Sequence, residues 1–140
     1  MKPEAKRFTE AKLVDDLAEW LKAIGYQVRT EVALLGQSVD VVATKGHWIT
    51  LMEAKVSDWQ RALRQCESHD MVADYICIVI ASVHVAEDLK IEASRRGYGI
   101  IHYSRTTGAL SWVCQPTRNT RVWLPQRKAW LAASNTAYGN

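Results

Sequence analysis

Three side chains could do chemistry together: Asp40, Glu53 and Lys55. Asp40 sits in the apolar run Ser38-Val39-Asp40-Val41-Val42, and the other two in Ile49-Thr50-Leu51-Met52-Glu53-Ala54-Lys55. Both runs have the β-branched, apolar look of buried strands. An ionised group in such a strand costs several kcal/mol unless it is paired or binds a metal. Residues two apart share a strand face, so Glu53 and Lys55 project together and Ala54 the other way. If the two runs pair around Lys45-Gly46-His47, Asp40 comes level with Glu53 to Lys55. Carboxylate oxygens and a backbone carbonyl suit Mg²⁺. Such a cation polarises a phosphoryl oxygen and acidifies water, and a lysine can stabilise the developing charge. That chemistry is phosphodiester hydrolysis. The residues alone fit a plain Asp40–Lys55 salt bridge equally well.

The elements that must position these residues can be read from periodicity. Leu13, Val14, Leu17, Trp20, Leu21 and Ile24 form one stripe of a helix from Thr9 to about Ile24, with Thr9 as cap and Gly25 as stop. Strands are predicted over 26–35, 38–44 and 48–56, with Gly36-Gln37 and Lys45-Gly46-His47 as turns. A helix from Ser57-Asp58 to about His69 presents Trp59, Ala62, Leu63 and Cys66 on one face. Residues 75–81 read as a strand covered on both faces. A helix over 85–96 stops at Gly97, and strands follow at 98–103 and 110–114. Gln126 to Ala133 reads as a short terminal helix. The fold class is α/β: a central mixed β-sheet flanked by helices on both faces. One domain over 1–140 is expected, with its core at about 9–114 and a C-terminal extension at 115–140.

The 140 residues carry 18 Lys and Arg against 15 Asp and Glu, a net charge of +3, which permits a nucleic-acid partner without demanding one. Cys66, Cys77 and Cys114 contain no C-x-x-C pair, which argues against a disulfide framework or a cysteine zinc site and fits a reducing cytoplasm. The N-terminal charges do not resemble a secretory signal, and no apolar run has membrane-spanning length. The histidines at 47, 69, 84 and 102 lack zinc-protease spacing, serine lacks an elbow motif, and no glycine-rich loop offers a nucleotide site. Lys45, His47, Arg61 and Arg64 are the candidate nucleic-acid contacts, with His47 in the turn taken to lie beside the site. A solvated turn histidine and a solvated helix face are the plain alternatives. Trp20 and Trp59 fall on apolar stripes, whereas Trp48, Trp112, Trp123 and Trp130 are available for a dimer or substrate surface.

The run Val39-Asp40-Val41-Val42 … Leu51-Met52-Glu53-Ala54-Lys55 resembles the core of the PD-(D/E)xK nuclease superfamily, with its restriction-endonuclease-like fold. Val39 stands where the motif's proline would be. The resemblance extends to the opening helix with Glu10, to Gly25-Tyr26-Gln27-Val28, to Ala62-Leu63-Arg64-Gln65, to Ala73-Asp74-Tyr75 and to Gly97-Tyr98-Gly99-Ile100-Ile101. It covers about residues 9 to 114. It implies Asp40 and Glu53 as metal ligands with the Ala54 carbonyl, and Lys55 as the catalytic lysine. Glu10 matches the first-helix acid of some members, including archaeal-type Holliday junction resolvases, and Gln65 the glutamine often found near the site. An exposed helix-start glutamate and a solvated glutamine are the alternatives for these two. The implied activity is endonucleolytic cleavage of DNA with Mg²⁺, for which Mn²⁺ can substitute, by a homodimer in the cytoplasm, or in a host cell's cytoplasm for a viral chain. The rival expectation is a catalytically silent nuclease-like module that binds DNA or assembles.

Overall fold

The computed structural model describes residues 8–34 and 37–120, with positions 122, 125 and 128 beyond them. The terminal helix expected over 126–133, Gly36 of the expected turn, and Trp123 and Trp130 lie outside the described residues. Among the described residues three helices and six strands follow in this order: α1 (Glu10–Ala23), β1 (Gln27–Leu34), β2 (Gln37–Lys45), β3 (Trp48–Lys55), α2 (Trp59–Ser68), β4 (Tyr75–Ile80), α3 (Glu87–Arg96), β5 (Gly99–Tyr103) and β6 (Leu110–Cys114). A single 3₁₀ turn, Asp70–Val72, precedes β4 and has no counterpart in the sequence reading.

The sheet keeps chain order from β1 to β6. β1, β2 and β3 pair antiparallel through hairpins. β3, β4 and β5 are parallel, which requires crossovers, and α2 and α3 supply them. β6 closes the order antiparallel to β5. The sheet is therefore mixed. Its odd and even positions feed two separate cores. Leu51, Ile76, Ile78, Ile80 and Ile100 meet Ala62, Leu63 and Cys66 of α2 and Leu89 and Ala93 of α3. Val41, Ala43, Met52, Ala54, Val79 and Ile101 meet Leu13, Leu17 and Leu21 of α1 on the other face. β4 is buried on both, as its unbroken apolar run requires.

Local chemistry sets the helix limits. Thr9 caps α1 by accepting the Lys12 N–H at 3.2 Å, and Asp58 caps α2 by accepting the Arg61 N–H at 3.1 Å. Gly97 ends α3 at φ +77°, a left-handed conformation that favours glycine. α3 starts at Glu87, two residues after the expected Val85. Ala86 offers no capping side chain, and Val85 and Ala86 pack on the core in extended chain instead. Gln37, expected in a turn, belongs to β2. No helix among the described residues is long and apolar enough to cross a membrane.

Candidate active site

The charged set lies at the carboxyl end of β3. The antiparallel ladder places Val41 opposite Met52, which carries Asp40 one step further, towards Glu53 and Ala54. β1 is irregular at this level: Glu31 takes φ +52°, a left-handed conformation rare for a residue with a side chain. The β1–β2 pairs on either side are Thr30 with Val41 and Val32 with Val39, so the distortion stands across from Asp40. Backbone strain of this kind gathers at functional sites.

Asp40 is half-buried, and its Oδ2 accepts the Ala54 N–H at 2.8 Å. That bond locks the Asp40 carboxylate against the tip of β3. Glu53 is buried, at 1% exposure, and both of its carboxylate oxygens are buried with no well-formed hydrogen bond among the described residues. Burial pushes its carboxyl up to about 9, the charge and contact of the Asp40 carboxyl push the same way, and Lys55 and the backbone N–H of Asp40 offset part of it. A buried carboxylate without a partner is rare and calls for an explanation.

Lys55, the last residue of β3, is also buried. Its Nζ lies 3.5 Å from Oε1 of Glu10, the first residue of α1. The ion pair of Lys55 is thus with Glu10, and no Asp40–Lys55 salt bridge forms. The salt bridge that the residues alone had allowed between Asp40 and Lys55 is thus replaced by one between Glu10 and Lys55. Asp40, Glu53, Lys55 and Glu10 come together from three different elements. Fully ionised, the three carboxylates and one ammonium carry a net charge of −2. A divalent cation would neutralise that charge; a proton on Glu53 relieves half of it.

Gln65 lies on α2, half-buried, with its Oε1 buried and unpartnered among the described residues. The next residue, Cys66, is close enough to the carboxylates that Glu53 and Asp40 add to the burial that raises its thiol. Gln65 therefore belongs to the helix that backs the site. The charge pattern of the sequence did not single out Cys66, since an apolar-face thiol carries no signal of what lies across from it. Arg61 is exposed in the first turn of α2, directly after β3, and Arg64 is exposed one turn on.

Lys45 and His47 do not join this group. They flank the turn at the other end of the β2–β3 hairpin, where Lys45 pairs with Trp48. Five residues of strand separate Trp48 from Glu53, roughly 17 Å at 3.3–3.4 Å per residue. Lys45 Nζ instead donates to the Ile24 carbonyl at 3.2 Å and lies 4.6 Å from the centre of the Tyr26 ring. The expectation that the turn stands beside the site is thereby corrected.

Among the described residues no group of three or more His, Cys, Asp or Glu side chains has metal-binding geometry. The donor set is two carboxylates, and a backbone carbonyl and solvent would have to complete it. Such a shell suits Mg²⁺, which keeps several waters, better than an all-protein cage. The unpartnered Glu53 oxygens fit a cation at this place.

No protein-family model matches the chain, and no curated protein matches it. Solved structures do resemble it. SPO1766, a protein of unknown function from Silicibacter pomeroyi, superposes with a TM-score of 0.70 at 16% identity, covering 95% of this chain and 88% of that one. The protein of unknown function AF1548 superposes with a TM-score of 0.55 at 18% identity, over 66% of this chain and 58% of that one. At these identities the likeness is one of fold.

Proposed function

We propose that the protein is a metal-dependent endonuclease that hydrolyses DNA phosphodiester bonds, with a PD-(D/E)xK-type site on a restriction-endonuclease-like core. One observation carries the reading: the buried Glu53 carboxyl, with neither oxygen in a well-formed hydrogen bond, held against Asp40 and within the field of Lys55. A structural carboxylate would have acquired a hydrogen-bond partner on folding. The α-β-β-β-α-β-α-β-β order supports the same reading, because it delivers all of these residues to the carboxyl end of β3.

In this reading Asp40, Glu53 and the Ala54 carbonyl would hold Mg²⁺ or Mn²⁺. When bound, the cation supplies Lewis-acid polarisation of the phosphoryl oxygen and lowers the pKa of nearby water. The chain's own residues do the rest. The Ala54 N–H keeps Asp40 in one rotamer, so the two carboxylates share a fixed spacing. Lys55 sets a positive charge against the scissile phosphate, where negative charge grows in the transition state. Glu10 holds the Lys55 side chain in place from α1. Arg61 and Arg64, at the start of the helix that follows, are placed to meet flanking phosphates. The described residues hold one such site, so cutting both strands is easier for a homodimer.

The test is cleavage of supercoiled, linear and branched DNA in Mg²⁺ or Mn²⁺ by the wild type, Asp40→Ala and Lys55→Ala. Cleavage by the wild type alone is expected. Cleavage that survives in both variants, or none by the wild type with any substrate, overturns the reading.

A further inference from the structure

The other end of the β2–β3 hairpin holds a second cluster, which the hydrolytic site does not use. A cleft of about 310 Å³ opens there, lined by Tyr26, Lys45, Trp48, Tyr75 and Trp112 among others, and none of its lining residues is acidic. Trp48 is 36% exposed, high for an indole. The Tyr75 ring meets it edge-on, with centroids 6.2 Å apart and planes at 62°. The His47 ring lies 4.7 Å away at 37°. Two cations sit against the aromatics: Lys45 over Tyr26, and the Arg118 guanidinium 4.7 Å from the centre of the Trp48 ring.

Four aromatic rings and Lys45 in the lining, no acid among them, and the Arg118 guanidinium against Trp48 beside the cleft describe a ligand that is flat and aromatic and also anionic. A nucleotide within a strand meets that description. Arg118 is exposed, and a guanidinium that stacks on an indole can equally fork onto a phosphate. Burial of Trp48 against the core would have been the default for so large an apolar side chain. Base stacking on such a ring is tolerant of sequence and contributes about 1–3 kcal/mol per base.

We infer that this cleft binds an unpaired nucleotide of single-stranded nucleic acid, with Trp48 as the stacking platform and Lys45 and Arg118 as its phosphate partners. The substrate class rests on the nuclease reading above; the placement rests on the cleft. The cleft lies roughly 17 Å along β3 from Glu53, so binding there is separable from cleavage.

Fluorescence anisotropy of the full chain in EDTA tests this, with short fluorescein-labelled oligothymidylate, oligouridylate and a blunt duplex as probes. Single strands are expected to bind more tightly than the duplex, and the first two probes distinguish DNA from RNA. Trp48→Ala should weaken single-strand binding by about 5- to 100-fold, with Trp48→Phe recovering most of it. The double variant Lys45→Ala/Arg118→Ala should flatten the salt dependence. Absence of cleavage by the wild type in Mg²⁺ or Mn²⁺, alongside intact single-strand binding in EDTA, would count against the nuclease reading only. The cleft assignment is overturned by single-strand binding unchanged in Trp48→Ala, by a preference for duplex, or by no binding at all.

Discussion

Two carboxylates are buried in this sheet to almost the same degree, and they behave oppositely. Asp74, 2% exposed at the entrance to β4, accepts the Ile49 N–H with its Oδ2 at 2.8 Å. It ties the start of β4 to the start of β3, a connection that the backbone alone repeats through Asp74 N–H to the Ile49 carbonyl at 2.9 Å. Glu53, 1% exposed on the next strand, has no such bond for either oxygen. Both would be flagged as buried charge. Only the hydrogen-bond account separates a carboxylate that folds the protein from one that waits for a ligand.

The largest effect expected from that contrast is catalytic. Asp40→Ala and Lys55→Ala should each lower the DNA cleavage rate by at least about 100-fold, measured as single-turnover nicking of supercoiled plasmid. Asp74→Ala should leave the rate constant of the folded fraction near that of the wild type. Loss of cleavage on Asp74→Ala at a temperature where it is folded would erase the distinction.

A pH effect on stability follows next. The folded protein keeps a proton on Glu53 up to about pH 9 when no cation is bound, while the unfolded chain loses it near the ordinary value of 4.5. Between those values the folded state binds more protons than the unfolded one. Stability without metal therefore falls as pH rises through that window, by up to about 1.4 kcal/mol per pH unit. Glu53→Gln cannot ionise and should remove this slope, leaving the variant more stable than the wild type at pH 8 in EDTA. Urea unfolding across pH 5 to 9 measures it, and parallel slopes for the two proteins would contradict the assignment.

Asp74→Ala sits lower in size and opposite in sign. Removing the acceptor strands the Ile49 N–H, a loss of about 1–3 kcal/mol at any pH and with or without metal. The smallest effect belongs to Glu10→Gln. The Glu10 side chain is 49% exposed, so its pair with Lys55 contributes under about 1 kcal/mol to stability. A few-fold drop in cleavage with an unchanged melting temperature is expected. A loss as large as that of Lys55→Ala would instead place Glu10 among the metal ligands.

Much of this was legible in the residues. The leucine stripe of α1 and the Thr9 cap are local signals, and both hold. Alternation put Glu53 and Lys55 on one face, and the hairpin brought Asp40 to them. The misplacement of His47 was avoidable. A turn that joins two strands lies at one end, and Asp40 and Glu53 are each five or more residues from it, so they must lie at the other. Other features left no trace in the chain. Glutamate has no preference for positive φ, so the distortion at Glu31 is imposed by its surroundings. The choice of Glu10 over Asp40 as partner of Lys55 depends on where α1 packs, which spacing along the chain does not encode. The Arg118–Trp48 contact joins residues 70 positions apart.

Calorimetric titration of Mg²⁺ and Mn²⁺ into the metal-free protein near pH 7, in buffers of differing ionisation enthalpy, bears most directly on the unpartnered Glu53. A cation that replaces the Glu53 proton should bind with release of about one proton. Binding should tighten as pH rises and vanish in Glu53→Gln. Absence of binding by the wild type, or binding to Glu53→Gln of equal strength and equal proton release, would contradict the site.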